Sequence, residues 1–149
     1  MSVYTVPFEN LSVTNDSDQD IWEITAPSDA AVEIVHFELY SAVTTDERVR
    51  LRLVRRSTAG SGGAGATEVP VKGTLAAVGT AVTQLNTTPG TLGDVLHAWY
   101  WSQLAPLVYL PVPEERIILP PSGRVGLNLL TAVASTRNWS GFVTFREIG

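Results

Sequence analysis

The amino-acid sequence predicts an all-β fold, an antiparallel β-sandwich of the jelly-roll type with an N-terminal arm and a long glycine-rich excursion. Short segments alternate apolar and polar residues, which is the two-residue period of a half-buried strand. Turns rich in proline and glycine separate these segments, and no helical period stands out. About eight to ten short strands spaced in this way are typical of two packed sheets.

Length and composition restrict the class of protein. The 149 residues are enough for one domain, 1–149, with a buried core, and 44% apolar against 17% charged residues excludes a disordered chain. We expect no membrane-spanning helix, because no apolar run reaches about 18 residues. The N-terminus lacks the regions of a signal peptide, so secretion is not expected. Without cysteine the chain has no disulfides, and partner subunits would supply stability instead.

The charges are divided along the chain. Residues 1–47 hold ten acids and no lysine or arginine, whereas residues 48–149 hold all ten basic residues and five acids. Opposite charges attract, so these two parts are expected to lie against each other, within one chain or between subunits.

The clearest strands are residues 32–40 and 47–55. The first places Val35, Phe37 and Leu39 on one face, with Ile34, His36, Glu38 and Tyr40 on the other. The second alternates valine and leucine with arginine. Joined by the short link 41–46, the two segments predict a hairpin in which Glu38 faces Arg48 or Arg50.

Further strands are predicted at 20–27, 94–104, 106–113 and 139–148, and residues 116–130 predict a second hairpin that turns at Pro120–Gly123. Residues 1–19 are less regular and predict an edge strand or an arm, since Pro7 suits an edge. Residues 57–93 contain eight of the twelve glycines and predict a loop excursion, with short strands at 68–72 and 81–86.

Enzyme chemistry finds little support in the sequence. His36 and His97 are far apart, and the acidic turn 15–20 lacks the glycine and distal glutamate of a calcium-binding loop, so we expect no metal. The stretch 60–63 resembles a nucleophile elbow only superficially. Glu114 and Glu115 are adjacent, and on a strand they would point to opposite faces. We therefore predict no catalytic residues, no cofactor and no enzyme activity.

Two clusters are candidates for contacts with partners. Arginines on alternating strand positions form a polar face or a subunit interface, and binding of nucleic acid is the weaker alternative because the pI is 4.9. The aromatic cluster at 99–101 suits a core, an interface or a platform for sugars. Two aromatic residues of the N-terminal segment complete the predicted interface set, which is Tyr4, Phe8, Arg48, Arg50, Arg52, Arg55, Arg56, Trp99 and Trp101.

Four segments together carry a resemblance to a known family. They are DIWEITAPSDAAVEI, then VRLRLVRR with the glycine- and serine-rich stretch after it, then PEERIILPPSGRVGLNL, and finally FVTFREIG. In this pattern the chain resembles small β-rich head proteins of tailed phages, similar to capsid decoration (cement) proteins. It departs from the lambda-type decoration protein, which is shorter and differently built.

The resemblance implies a virion protein, made in the host cytoplasm, that assembles on the outside of the capsid. It further implies a homo-oligomer, with a trimer favoured, that binds the major capsid protein between capsomers without contacting nucleic acid or membrane. Two alternatives stay open. One is a glycan- or receptor-binding module of a phage fibre, and the other is a minor capsid or tail subunit.

Overall fold

The computed structural model describes residues 2–16, 18–72 and 78–149, in which regular structure is almost entirely β-strand. Within those ranges the one helical element is a short 3-10 turn, Pro113–Glu115. In chain order the strands are β1 (Ser2–Val13), β2 (Gln19–Thr25), β3 (Ala31–Ser41), β4 (Arg48–Arg56), β5 (Ala64–Gly65), β6 (Val69–Pro70), β7 (Ala81–Asn86), β8 (Leu92–Ser102), β9 (Leu107–Tyr109), β10 (Ile118–Leu119), β11 (Arg124–Leu129) and β12 (Arg137–Ile148).

The strands form two antiparallel sheets, as the alternating pattern predicted. Sheet A has the order β10-β3-β12-β1-β6, with β9 also paired to β3, and sheet B has the order β5-β7-β2-β11-β4-β8. Eight of the strands pair as β1-β12-β3-β9 in one sheet and β2-β11-β4-β8 in the other. Counted along the chain, this is first-eighth-third-sixth against second-seventh-fourth-fifth, which is the jelly-roll order.

The four remaining strands are additions at the edges of this jelly roll. Three of them, β5, β6 and β7, belong to the glycine-rich excursion between the fourth and fifth jelly-roll strands, whose residues 73–77 lie outside the described residues. Strand β7 pairs with β2 and carries β5, while β6 pairs with β1. The excursion thus extends both sheets on the same side. The predicted strand at 81–86 is confirmed, whereas the one predicted at 68–72 is limited to Val69–Pro70.

The core lies between the sheets and is rich in large side chains. Trp22 on sheet B packs edge-to-face on Phe37 of sheet A, with ring centroids 5.4 Å apart, and Trp101 packs on Trp139 at 5.1 Å. Buried Gln103 accepts a hydrogen bond from Trp139 Nε1 at 2.9 Å, so the indole nitrogen keeps a partner inside the core. These contacts join the sheets at two points along the strands.

The first predicted hairpin is wrong in its pairing. Strands β3 and β4 are both present, but β3 pairs with β12, β9 and β10 in sheet A, whereas β4 pairs with β11 and β8 in sheet B. Glu38 therefore faces Phe142 and Val108 rather than an arginine. Both strands carry an apolar face, and the structure packs those faces against each other across the sandwich instead of side by side.

The prediction of which β3 residues point into the core is also wrong at one end of the strand. A bulge opposite Thr144 and Phe145 inserts Val35 as an extra residue, so the alternation reverses there. Ile34 consequently points into the core and is fully buried, while Val35 is only partly buried.

The second predicted hairpin and the N-terminal arm are corrected as well. The turn at 120–123 exists, with Gly123 donating to Pro120 O at 2.8 Å, but it connects β10 of sheet A to β11 of sheet B. Residues 2–13 form a full strand, β1, which pairs with β12 from Ser2 to Val13. The segment is therefore a strand rather than an arm, and it lies next to the edge, where β6 pairs with it at Tyr4 and Thr5.

Because β1 is a core strand, we expect deletion of residues 1–13 to unfold the protein. The deletion removes four buried side chains worth about 1.5–3 kcal/mol each, a sum comparable with the whole stability of a typical domain. The four side chains are those of Tyr4, Val6, Phe8 and Val13. Far-UV circular dichroism and thermal unfolding measure the loss of folded structure.

Pro7→Ala is the matched control, since Pro7 lies on the same strand but is exposed, and its unfolding curve should stay close to that of the wild type. A deletion variant that keeps the β spectrum and a cooperative transition would restore the arm interpretation.

Candidate functional site

The side of the sandwich opposite the excursion is open in both sheets. Sheet B ends there on β8, which has 11 residues, and sheet A ends on β9 and β10. Soluble proteins usually protect such edges with lysine, proline or a covering segment. Strand β8 has neither residue, and Asp94 is its one formally charged side chain at pH 7. We call this side, formed by residues 92–118, the open side.

Exposed apolar side chains are concentrated on the open side. Eight of the eleven large hydrophobic side chains that are exposed in the described part of the chain lie in residues 92–118. A concentration of exposed apolar side chains in one part of a fold marks a binding surface more often than scattered single residues do. The eight are Leu92, Val95, Tyr100, Leu104, Val108, Leu110, Val112 and Ile118.

A pocket of about 250 Å³ opens on the outer face of sheet B beside β8, and we call it the edge pocket. The strand alternation places Arg50 and Tyr100 on this outer face, directly opposite each other in neighbouring strands. The guanidinium of Arg50 lies 5.6 Å from the centre of the Tyr100 ring, a cation–π distance, and Tyr100 is 75% exposed. The full lining is Arg50, Leu51, Arg52, Val95, Ala98, Trp99, Tyr100 and Leu130.

A second depression, of about 200 Å³, lies between β8 and β9, and we call it the aromatic groove. His97 stacks on Trp99 with centroids 5.7 Å apart, and Tyr109 contacts both rings edge-on. Burial raises the pKa of Tyr109 above its ordinary value, and the negative charge of Glu115 raises it further. The Tyr109 hydroxyl is buried without a hydrogen-bond partner among the described residues.

The aromatic groove is continuous with the core. Tyr109 stacks on buried Phe37 at 5.0 Å, and Trp99 meets the same ring edge-on at 5.9 Å. The rings that line the groove are therefore held by packing between the sheets, which gives them a fixed orientation. A rigid aromatic surface can bind a flat or apolar partner with little loss of conformational entropy.

On the opposite half of sheet B, the glycine-rich excursion covers a buried polar network. Arg56 donates two hydrogen bonds to Asp20, at 2.7 and 3.1 Å, and their side chains are 2% and 0% exposed. Asn128 also donates to Asp20 at 3.0 Å, and Arg56 reaches the carbonyl of Gly90 at 3.2 Å. The ion pair is thus enclosed between the sheet and its cover.

Close backbone approach explains why this cover is glycine-rich. A Cβ on Gly63 would collide with the carbonyl of Gln84, and a Cβ on Gly90 would collide with the carbonyl of Thr58. Glu23, also beneath the cover, accepts a hydrogen bond from the Gly60 backbone N–H at 3.2 Å. Burial raises the pKa of Glu23, and nearby Asp20 adds to the rise, while the Gly60 N–H opposes it.

The predicted interface residues are separated by the structure. Tyr4, Phe8 and Trp101 lie in the core at 3%, 6% and 4% exposure, so their side chains do not form an outer surface, and we revise the interface hypothesis for them. Trp99 is half-buried in the aromatic groove. Since Trp101 packs on Trp139, Trp99 and Trp101 do not form one exposed platform.

The arginines of β4 fall into different environments. Arg48 is exposed beside Asp46, Arg52 donates to Asn128 and approaches Asp18, and Arg56 is buried on Asp20. Arg55 reaches the carbonyl of Ile118, and Arg50 lines the edge pocket. Every arginine–carboxylate pair in the described residues joins an acid of 1–47 to an arginine of 48–149, so the predicted attraction between these parts is confirmed within one chain. The acids are Asp18, Asp20, Glu33, Asp46 and Glu47.

The remaining chemical candidates do not converge on a site. In the described ranges no group of three metal-ligating side chains is found. Asp16 and Asp18 of the acidic turn accept hydrogen bonds from Thr14 and Asn128, and Ser17 between them lies outside the described residues. His36 packs on Phe142 on the outer face of sheet A, whereas His97 contacts Trp99 and Tyr109 in the aromatic groove.

The sequence interpretation missed the contribution of the connection between β9 and β10. Tyr109, Leu110 and Glu115 all line the aromatic groove, but the sequence marks them only as a proline-broken segment. The sequence does mark this connection as unusual. Residues 110–115, LPVPEE, alternate apolar residues with prolines and end in two acids. Because proline cannot donate to a strand ladder, this alternation indicates a segment at or beyond the edge of a sheet.

Comparison of the chain with known protein families, curated proteins and solved structures finds no match. Among residues 2–16, 18–72 and 78–149 no helix has the length and apolar character needed to cross a membrane.

We expect Asp20→Asn to destabilise the protein strongly, because it leaves the buried Arg56 guanidinium without its counter-charge. Breaking one side of a buried pair costs about 3–5 kcal/mol. Chemical denaturation measures the loss. Asp46→Asn is the control, since the Arg48–Asp46 pair is exposed and its removal should leave the unfolding midpoint unchanged. Equal effects of the two variants would show that the covered network is not structurally important.

We expect Glu23→Gln to stabilise the protein at neutral pH. The raised pKa of Glu23 means that the native state binds this proton more tightly than the unfolded chain does. Stability linked to this group is therefore lost as pH rises from the ordinary value of 4.5 through the native pKa. Urea midpoints measured against pH should show an advantage for Glu23→Gln that disappears below that window. Exposed Glu9→Gln is the control, and a constant offset at every pH would contradict the linkage.

Proposed function

We propose that this chain is a non-enzymatic structural protein of a virus particle, which decorates and stabilises the capsid by binding between capsomers as an oligomer. The observation that carries the proposal is the open side, an 11-residue unprotected edge strand with an exposed apolar surface beside it. Such an edge calls for a protein partner, because unpaired strands with apolar flanks otherwise aggregate.

The jelly roll is compatible with this role but does not decide it. The same architecture serves viral capsid proteins, lectins and cupins, so function has to be argued from the surface. A rigid sandwich that carries its contacts on one side is suited to bridging neighbouring subunits. The resemblance of the sequence to capsid decoration proteins supplies the particular partner, a major capsid protein, and the location on the capsid exterior.

The arrangement of charge favours protein contacts over nucleic acid. Four of the five arginines on β4 contact carboxylate or carbonyl oxygens within the chain, and one of them is buried. Arg50 alone of the five leaves its guanidinium without an oxygen partner among the described residues, where it lies beside an aromatic ring. One such cation on an apolar pocket suits a protein interface, whereas nucleic acid binding uses many cations on one face.

A glycan- or receptor-binding module is the second candidate, and the aromatic groove favours it. His97, Trp99 and Tyr109 present rings beside the carboxylate of Glu115, and the Tyr109 hydroxyl has no partner in the described chain. Rings that stack on sugar faces next to a polar acceptor are typical of carbohydrate sites. A minor capsid or tail subunit is the remaining alternative, and it would use the same open side to contact its partners.

Native mass spectrometry of the purified protein, followed by co-sedimentation with undecorated heads of the same virus, tests the proposal. We expect a discrete oligomer, with three copies of the 16.0 kDa chain favoured, and saturable binding to the heads. Heads that already carry their decoration are the control and should bind none.

A monomer that fails to sediment with undecorated heads would contradict the proposal. If that monomer binds on a glycan array and Trp99→Ala abolishes the signal, the binding-module alternative replaces it.

A further inference from the structure

Arg50 differs from the other arginines on its strand. Arg48, Arg52 and Arg56 each contact a carboxylate, and Arg55 contacts a carbonyl oxygen. The Arg50 guanidinium contacts the Tyr100 ring and, among the described residues, no acid. It lies at the edge pocket, whose lining includes the apolar residues Val95, Ala98 and Leu130. The pocket therefore suits an occupant that combines a carboxylate with apolar side chains.

The chain itself carries a segment with this chemistry, residues 110–115. Leu110 and Val112 are 64% and 55% exposed, and Glu114 is exposed with no ion pair in the described chain. Pro111 and Pro113 restrict the backbone between these side chains, which lowers the entropy that the segment would lose on docking. An exposed leucine and valine followed by a free carboxylate match the apolar wall and the cation of the edge pocket.

We propose that residues 110–115 of one subunit dock into the edge pocket of a second copy of the chain, with the Glu114 carboxylate on the Arg50 guanidinium. This inference deepens the proposed function and rests on its requirement for an oligomer. It goes further by assigning the contact and its direction.

The positions of the two surfaces favour a ring of copies. The edge pocket faces outward from sheet B, whereas residues 110–115 connect β9 and β10 of sheet A. A contact between two different surfaces is head-to-tail, and such contacts close into rings when the rotation permits. The trimer of the proposed function is the smallest ring beyond a pair. Docking would also cover the exposed apolar side chains of Val95 and Tyr100 on β8.

A charge exchange tests the contact directly. We expect Arg50→Glu and Glu114→Arg each to weaken assembly about tenfold or more, because each places like charges together at the contact. The double variant Arg50→Glu/Glu114→Arg restores the opposite charges and should recover the wild-type oligomer. Native mass spectrometry over a dilution series measures assembly, and circular dichroism confirms that each variant is folded.

Lys72→Glu and Glu9→Arg are the matched controls, since both residues are exposed and belong to the part of the fold that contains β1 and β6, away from the open side. They should leave the oligomer unchanged. Single variants that assemble like the wild type, or a double variant that stays dissociated, would overturn the Arg50–Glu114 contact. A wild-type protein that is monomeric at every concentration would overturn this contact together with the oligomer of the proposed function. An intact ring that obeys the charge exchange and yet fails to bind heads would overturn the capsid role alone.

Discussion

The backbone hydrogen-bonding groups at the sheet edges are the constraint on which the rest of this structure depends. A sandwich of two sheets has four edges, and each presents unpaired N–H and C=O groups unless another segment covers it. The excursion protects both edges on one side, through β6 on sheet A and through β7 and β5 on sheet B. On that side the described chain covers its own sheet edges, and on the open side it does not. We therefore expect partner subunits to bind at the open side.

The same excursion explains the placement of charge. By lying over the outer face of sheet B it encloses Asp20 and Arg56, which would otherwise be an exposed pair of small energetic value. Enclosure makes the pair costly to break, and it fixes the cover to the sheet through the Gly90 carbonyl. Among the described residues, five of the ten acids in residues 1–47 pair with arginines of the same chain, and three of the five arginines of β4 are among their partners. Arg50 stands apart because its side chain lies beyond the reach of that cover, next to β8.

Core and open side are physically continuous. The rings of Phe37, Trp99 and Tyr109 run from the middle of the sandwich to the aromatic groove. Packing between the sheets therefore sets the orientation of the groove, and a change in core volume would be felt at the surface. Trp99 and Tyr109 of the groove are mounted on strands β8 and β9, and side chains on strands are positioned more precisely than those on loops.

The sequence alone determined the all-β class, the approximate strand positions and the alternation of β4, because a two-residue period is a local property. It also determined that acids of the first third would meet arginines of the remainder. Which strands pair was decided by the tertiary structure: β3 and β4 look like a hairpin, yet each has one apolar face, and the jelly roll buries those faces against each other. Burial of Tyr4, Phe8 and Trp101, the inward orientation of Ile34 at a bulge, and the meeting of Arg50 with Tyr100 depend on pairs of residues 50 to 141 positions apart in the chain. No local pattern encodes those distances, so the open side and its pocket became visible only in the folded chain.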